Sequence, residues 1–348
     1  MDDWLRLQLL LLAIELGVTI VGLMIAIVAH EVGHAVAGYA IGLRVARIGL
    51  GPLEIRGYDR PRVRLVPSLH AGVVLVPSDP AAGPGPLRWS LLISTAAGPL
   101  AGIAFGAIVV AQAGGLRLPA PLAVMEVAGQ LSLLLGVLNL LPIPTREGIA
   151  DGQRILALLL RGRQGAQILA GTLLLGEALS GRRARDWDPS LLGVMERSPE
   201  DQFARMLLYS VAMDRGEVET AGRQLDAAVA LRNDHWNATD AVLFNEAAYF
   251  AARHRGDARA ARTWLGLADS WAVVDYMRLR AEAAVLCAEG RPLEGRQRAV
   301  AGLAALERAR RRDADLSREQ LEELARGAST TLHPLTDRLS PIRQHNVS

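Results

Sequence analysis

Residues 27–34 read Ile27-Val28-Ala29-His30-Glu31-Val32-Gly33-His34, and they close an apolar run that begins at Leu7. Both halves of that stretch decide its reading. On a helix, His30 and His34 stand one turn apart and project from the same face. Two imidazoles so placed share one zinc ion, with Glu31 beside the metal to take a proton from water. A His-Glu-x-x-His string also arises by chance on soluble helices, as a pair of surface histidines. The apolar setting weighs against that, because ionisable groups at membrane depth are costly and persist where they function.

The chain has 348 residues, of which 51% are hydrophobic, with a net charge of +2. Its mean hydropathy is +0.21, too apolar for a soluble protein of this size. The excess lies in the first half, and the second half is rich in Ala, Arg and Glu, so two domains are expected. With so small a net charge, nothing in the composition suggests a nucleic-acid partner. Every basic residue is Arg, a sign of genomic base composition. The single Cys287 excludes an intramolecular disulfide framework and gives no sign of a thiolate zinc site, and it reads as a small buried residue. The Met1-Asp2-Asp3 start lacks a basic n-region, so the first segment is expected to remain as an anchor.

Residues 7–28 are long enough to cross a hydrocarbon core of roughly 30 Å. Ala35-Val36-Ala37 continues the pattern, which predicts a first span over 7–41 with the histidines near its carboxyl-terminal end. Short β-branched stretches at 45–50, 63–66 and 72–76 predict a small β-hairpin over 44–77. It carries Arg44, Arg47, Arg56, Arg60, Arg62 and Arg64, so it belongs on a membrane surface. His70 lies there and reads as a plain surface residue. Residues 78–86 are a Pro/Gly linker.

A second span is predicted over 87–113, with Ala97-Gly98-Pro99 inside it as close-packing small residues. A third is predicted over 122–141, where Glu126, Gln130 and Asn139 call for a protein-facing or wet side. Residues 166–179 are apolar but too short for a full span and read as a packed or interfacial helix. Arg is dense between the first and second spans and after the third, and sparse in between. The positive-inside rule then puts the amino terminus outside and the carboxyl-terminal half in the cytoplasm. His30 and His34 end the first span at the leaflet where the third span delivers Asp151, so Asp151 becomes a candidate third ligand. Two His and one carboxylate make a catalytic zinc set. The plain alternative is a turn Asp before Gly152.

Residues 183–199 read as a polar linker carrying Asp188-Pro189. Residues 200–330 form amphipathic helices with a weak repeat. Each unit has a helix, a charged turn with Gly216, Gly256 or Gly290, and an Ala-rich helix. The glycines are 40 and 34 residues apart, near the tetratricopeptide period. Stacked pairs of this kind make concave surfaces for a peptide or protein partner, and an ordinary helical bundle is the open alternative. Residues 331–348 read as a polar tail.

These residues resemble the site-2 proteases, intramembrane zinc metalloproteases. The resemblance covers about residues 7–160. It rests on His30-Glu31-Val32-Gly33-His34, on Ala97-Gly98-Pro99, and on Asn139-Leu140-Leu141-Pro142 followed by Asp151-Gly152. Residues 69–77 look like the family's membrane-associated strand. The chain departs from the family at Ala101-Gly102, where an Asn is common, and in the insertion of residues 145–150.

The resemblance implies a polytopic α-helical membrane protein. It accounts for a three-span zinc-protease core (1–182, with a membrane-surface β-hairpin); outside the resemblance, the residue pattern gives a linker (183–199), an all-α cytoplasmic domain of tetratricopeptide-like helix pairs (200–330) and the tail. The resemblance implies Zn2+ held by His30, His34 and Asp151, Glu31 as general base, and Asn139 holding substrate backbone or the oxyanion. The implied partners are a transmembrane protein substrate and the lipid bilayer, with the plasma membrane as location. A catalytically silent scaffold acting through the helical domain is the rival reading.

Overall fold

The computed structural model describes residues 3–51, 53–56, 62–65, 71–79, 81, 83–113, 120–145, 148–232, 238–268, 275–309 and 314–327. Two compact units emerge, Met1–Val211 and Ala212–Ser348.

In the first unit, α1 runs Asp3–Ala40 without a break. At 1.5 Å per residue its 38 residues extend about 57 Å, well beyond a bilayer core. Its buried residues recur every fourth position: Gly22, Ala26, His30, His34 and Gly38, with Glu31 beside them. That stripe faces α2 (Pro84–Ala113) and α3 (Ala120–Leu140). The other face bears Leu9, Leu12, Leu16 and Ile20, exposed and apolar, the reverse of a soluble helix.

The helices approach closely through glycines. A Cβ at Gly33 would sit 2.6 Å from Ala101 Cβ, and one at Gly106 would sit 2.5 Å from the Gly129 carbonyl. Small residues at such contacts bring backbones together where no hydrophobic effect acts between helices. Asp3–Ala40 and Pro84–Gln112 are long and apolar enough to cross a membrane. The described apolar part of α3, Val124–Leu140, is shorter.

The predicted hairpin is a four-stranded antiparallel sheet. Its strands are β1 (Leu43–Leu50), β2 (Leu53–Arg56), β3 (Arg62–Leu65) and β4 (Ala71–Pro77), in the order β3-β2-β1-β4. β4 folds back onto β1 and so occupies an edge, with a register shift between Val45 and Arg47. Buried Glu54 pairs with Arg47 and Arg56, which compensates its charge. His70 and the ends of the predicted hairpin turns lie outside the described residues.

After α3, the inserted residues form a two-strand ladder, β5 (Pro144–Thr145) with β6 (Gly148–Ile149). Two helices follow, α4 (Asp151–Leu160) and α5 (Arg163–Ser180). α5 is packed, with Leu169, Leu173 and Leu174 buried.

Residues 183–199 differ from the linker expectation. They form a 3-10 turn, Ala184–Asp186, and helix α6, Pro189–Glu196. Asp188 caps α6 by accepting from the Ser190 N–H, and Pro189 takes the first turn, the roles these residues favour at a helix start. Trp187, Leu192 and Met195 are buried in one core with Leu174 and with Leu207 and Leu208 of α7 (Gln202–Asp214). That apolar anchoring, invisible in the local polar composition, turns the segment into part of the first unit.

Beyond α7 come α8 (Val218–Ala230), α9 (Ala238–His254), α10 (Ala258–Leu267), α11 (Asp275–Ala288), α12 (Pro292–Ala309) and α13 (Asp315–Arg326). Gly216, Gly256 and Gly290 stand at the turns, each at positive φ, which an L side chain resists. Along α8, α10 with its C-cap, and α12, the residues five, nine and twelve past the turn glycine are all buried: Ala221, Leu225 and Ala228; Ala261, Leu265 and Ala268; Gly295, Ala299 and Gly302. The buried positions thus recur at the same offsets after each of the three glycines. In the same unit, buried Arg280 binds Glu246 on α9 and donates to Gln320 Oε1 on α13 at 2.7 Å, with its guanidinium 4.7 Å from the Tyr249 ring centre.

Candidate metal centre

α1 presents His30 and His34 on one face because they are four residues apart. α2 aims the second ring. His34 Nδ1 donates to the Ser94 carbonyl at 2.7 Å, which leaves Nε2 with its lone pair free for a ligand role. Gly98 lies against the same ring: a Cβ there would stand 2.2 Å from His34 Nε2. Pro99, one residue on, sits inside α2 and brings no backbone N–H.

The carboxylate arrives from the far end of the core. Gly152 packs on the last turn of α3, where a Cβ would be 2.1 Å from the Leu140 carbonyl oxygen. That backbone contact seats the start of α4 and with it Asp151. Asp151 Oδ2 lies 3.0 Å from His30 Nε2 and 3.3 Å from His34 Nε2. The two Nε2 atoms are 3.0 Å apart, and the rings cross edge to face at 83°.

The three donor atoms therefore converge on one point. Zinc bonds of about 2.0–2.1 Å in tetrahedral geometry place neighbouring ligand atoms about 3.3 Å apart. The observed separations fit that spacing. Among the described residues, this is the group of His, Cys, Asp or Glu that can hold a metal. Burial raises the Asp151 carboxyl, but the two imidazoles outweigh burial and hold it down at about 2. Asp151 is a carboxylate at physiological pH, as a ligand must be.

Glu31 is buried beside the ligands, and its Oε2 is enclosed without a hydrogen-bond partner, as is His30 Nδ1. An enclosed acceptor with no donor is costly, and a water molecule at the metal would supply the missing proton. Asn139, in the last turn of α3, is half-buried and makes no side-chain hydrogen bond to these residues among those described. The sequence marks Ala97-Gly98-Pro99 as close-packing small residues, and it carries no sign of the Ser94 carbonyl. A backbone carbonyl has no signature in a sequence, but a glycine within a helix that is otherwise bulky is one.

Residues 18–117 match the family model of Peptidase family M50, the site-2 protease family. That family is one of zinc-dependent membrane metallopeptidases. The match holds His30, Glu31, His34 and Gly98 and ends before Asp151, whose place rests on the geometry above. Comparison with curated proteins and with solved structures returned no match.

Proposed function

We propose, from the M50 segment and the donor set it shares with Asp151, that the chain is an intramembrane zinc endopeptidase. It would hydrolyse peptide bonds in or near the transmembrane helices of other proteins. One observation carries the reading: His30 Nε2, His34 Nε2 and Asp151 Oδ2 meet within 3.3 Å of one another, beside a Glu31 carboxylate whose enclosed Oε2 has no hydrogen-bond partner among the described residues. A structural zinc site would use four protein ligands, and three leave a position open.

His30, His34 and Asp151 would hold Zn2+, which supplies a Lewis acid for the scissile carbonyl and an acidified water. Glu31 takes the proton from the attacking water and returns it to the departing nitrogen. Ser94 and Gly98 keep the His34 ring in place. A helix hides its amides in its own hydrogen bonds, so the substrate must unwind. The edge strand β4 is suited to hold the unwound segment by strand addition. Asn139, at the end of α3, is assigned to the substrate backbone or oxyanion on the family resemblance alone.

The proposed topology has three spans, an amino terminus outside and the helical unit in the cytoplasm, on the Arg asymmetry. The helix pairs are proposed as a tetratricopeptide-like platform for a peptide or protein partner. The rival is a silent scaffold working through those pairs. The intact set of four chemical residues, with Glu31 buried and unsatisfied, favours the enzyme.

The test is cleavage of single-span membrane substrates by purified full-length protein. Activity should track zinc content, vanish with a chelator and return with zinc. Stoichiometric zinc with no cleavage across a broad substrate panel would favour the scaffold.

A further inference from the structure

We infer that Arg154, one turn past Asp151 on α4, donates to the scissile carbonyl oxygen as negative charge develops on it; this rests on the peptidase reading above. Arg154 and Asp151 are three residues apart and so neighbour each other on the helix surface. Arg154 sits in the first turn and a half of α4. A cation there opposes the positive end of the helix dipole. Its Nε is enclosed and has no hydrogen-bond partner, and Asp151 is the charge that acts on it. Yet Asp151 turns Oδ2 to His30 and His34. A half-buried guanidinium whose Nε is enclosed and that lacks a dedicated carboxylate is costly and persists where something else calls for it.

The same chain shows what a structural buried arginine looks like. Arg280 is paired with Glu246 and bonded to Gln320 and Ser317. Arg47 leans on Glu54. Arg154 has no such dressing among the described residues.

The charge balance gives it a task. In the loaded site, Asp151 and Glu31 together offset a dication, and Arg154 adds one positive charge in excess. Among the described residues no ion pair or hydrogen bond joins Arg154 to Glu31, so Arg154 does not neutralise the base. It remains for an oxygen. The water oxygen bonds to the carbonyl carbon while its proton passes to Glu31. The carbonyl pair moves onto the carbonyl oxygen, where the planar N–H groups of Arg154 donate. The pair then re-forms the carbonyl, the C–N bond breaks, and nitrogen leaves with the proton from Glu31. The products are a carboxyl group and an amine.

The experiment uses full-length protein in detergent, a single-span peptide that the wild type cuts, and its phosphonamidate counterpart with tetrahedral phosphorus in place of the scissile carbonyl. Zinc content, kcat, KM and phosphonamidate affinity are measured for Arg154→Gln and Arg154→Lys. Uncut-substrate affinity is measured in the Glu31→Gln background. Arg154→Gln should keep its zinc and a KM within about threefold. Its kcat should fall about 10²–10³-fold, the range for losing one oxyanion donor. Phosphonamidate affinity should fall by a similar factor while uncut-substrate affinity holds. Arg154→Lys should recover part of both.

Loss of zinc in both variants, with wild-type kcat per bound zinc, would make Arg154 a support for Asp151 and overturn the assignment. Equal weakening of substrate and phosphonamidate, or no change in either, would also overturn it. A zinc-loaded wild type that cuts no peptide and binds no phosphonamidate would instead sink the peptidase reading, and the role of Arg154 with it.

Discussion

Gly98→Ala adds one methyl group at the point where α2 meets the zinc ligands. The new Cβ would stand 2.2 Å from His34 Nε2 and 2.3 Å from Cε1, where ordinary contact begins at 3.4 Å. Relief requires the ring and Cβ to part by about 1.2 Å. The α1 backbone has no slack to offer, because Gly33 already meets the Ala97 carbonyl and Ala101 on α2. Metal–ligand distances hold to about ±0.2 Å, so a shift of this size misplaces the ligand. Losing the supports of a ligand alone costs about 10–100-fold in metal affinity. Gly98→Ala should reach at least the upper end, about 2.8 kcal/mol. The assay is zinc content by elemental analysis and zinc affinity by chelator competition. Gly102→Ala, one turn along α2, is the control, since its Cβ would meet Ser132 Oγ at an ordinary 3.4 Å. Gly98→Ala protein with wild-type zinc affinity would refute the seating of His34 by α2.

Asp151→Ala should lose most of the metal while His70→Ala keeps it; full zinc occupancy in Asp151→Ala would remove Asp151 from the site. A reporter fused after Leu231 should read as cytoplasmic, and an external signal would overturn the topology. His254 is held down at about 4 by burial and by Arg253, so its contribution is complete above pH 6.5 and lost as pH falls from 6.5 toward 4, because the unfolded chain then binds more protons. At about 1.4 kcal/mol per unit the loss approaches 3 kcal/mol; denaturant midpoints of the helical unit, followed in the full-length protein, should fall over that window, and those of His254→Gln should fall less. An identical decline in both would exclude His254 as the cause.

The chemistry of this site was legible where it depended on spacing. His30 and His34 share a face by helical period alone, and Asp151 followed from charge asymmetry across the spans. The turn glycines of the helical unit were equally plain, since Gly216, Gly256 and Gly290 each occupy a backbone region that other residues avoid. What stayed hidden depends on contacts distant in the chain. Asp188-Pro189 reads as a turn until Trp187, Leu192 and Met195 find a core to enter; the same dipeptide then caps a helix. The stretch 72–76 was legible as a strand, but the four-stranded order with β4 beside β1 rests on pairing between segments distant in the chain. Gly98 carries its meaning through an imidazole that lies 64 residues away in sequence.

The central claim is peptide hydrolysis with Glu31 as the base, and Glu31→Gln tests it most directly. The change keeps shape, removes the basic group and touches no ligand, so zinc and fold should survive. Purified variant with one zinc per chain should bind a membrane substrate and leave it intact, with a loss of at least about 10²–10⁴-fold in rate. Cleavage by zinc-loaded Glu31→Gln protein at the wild-type rate would contradict the account.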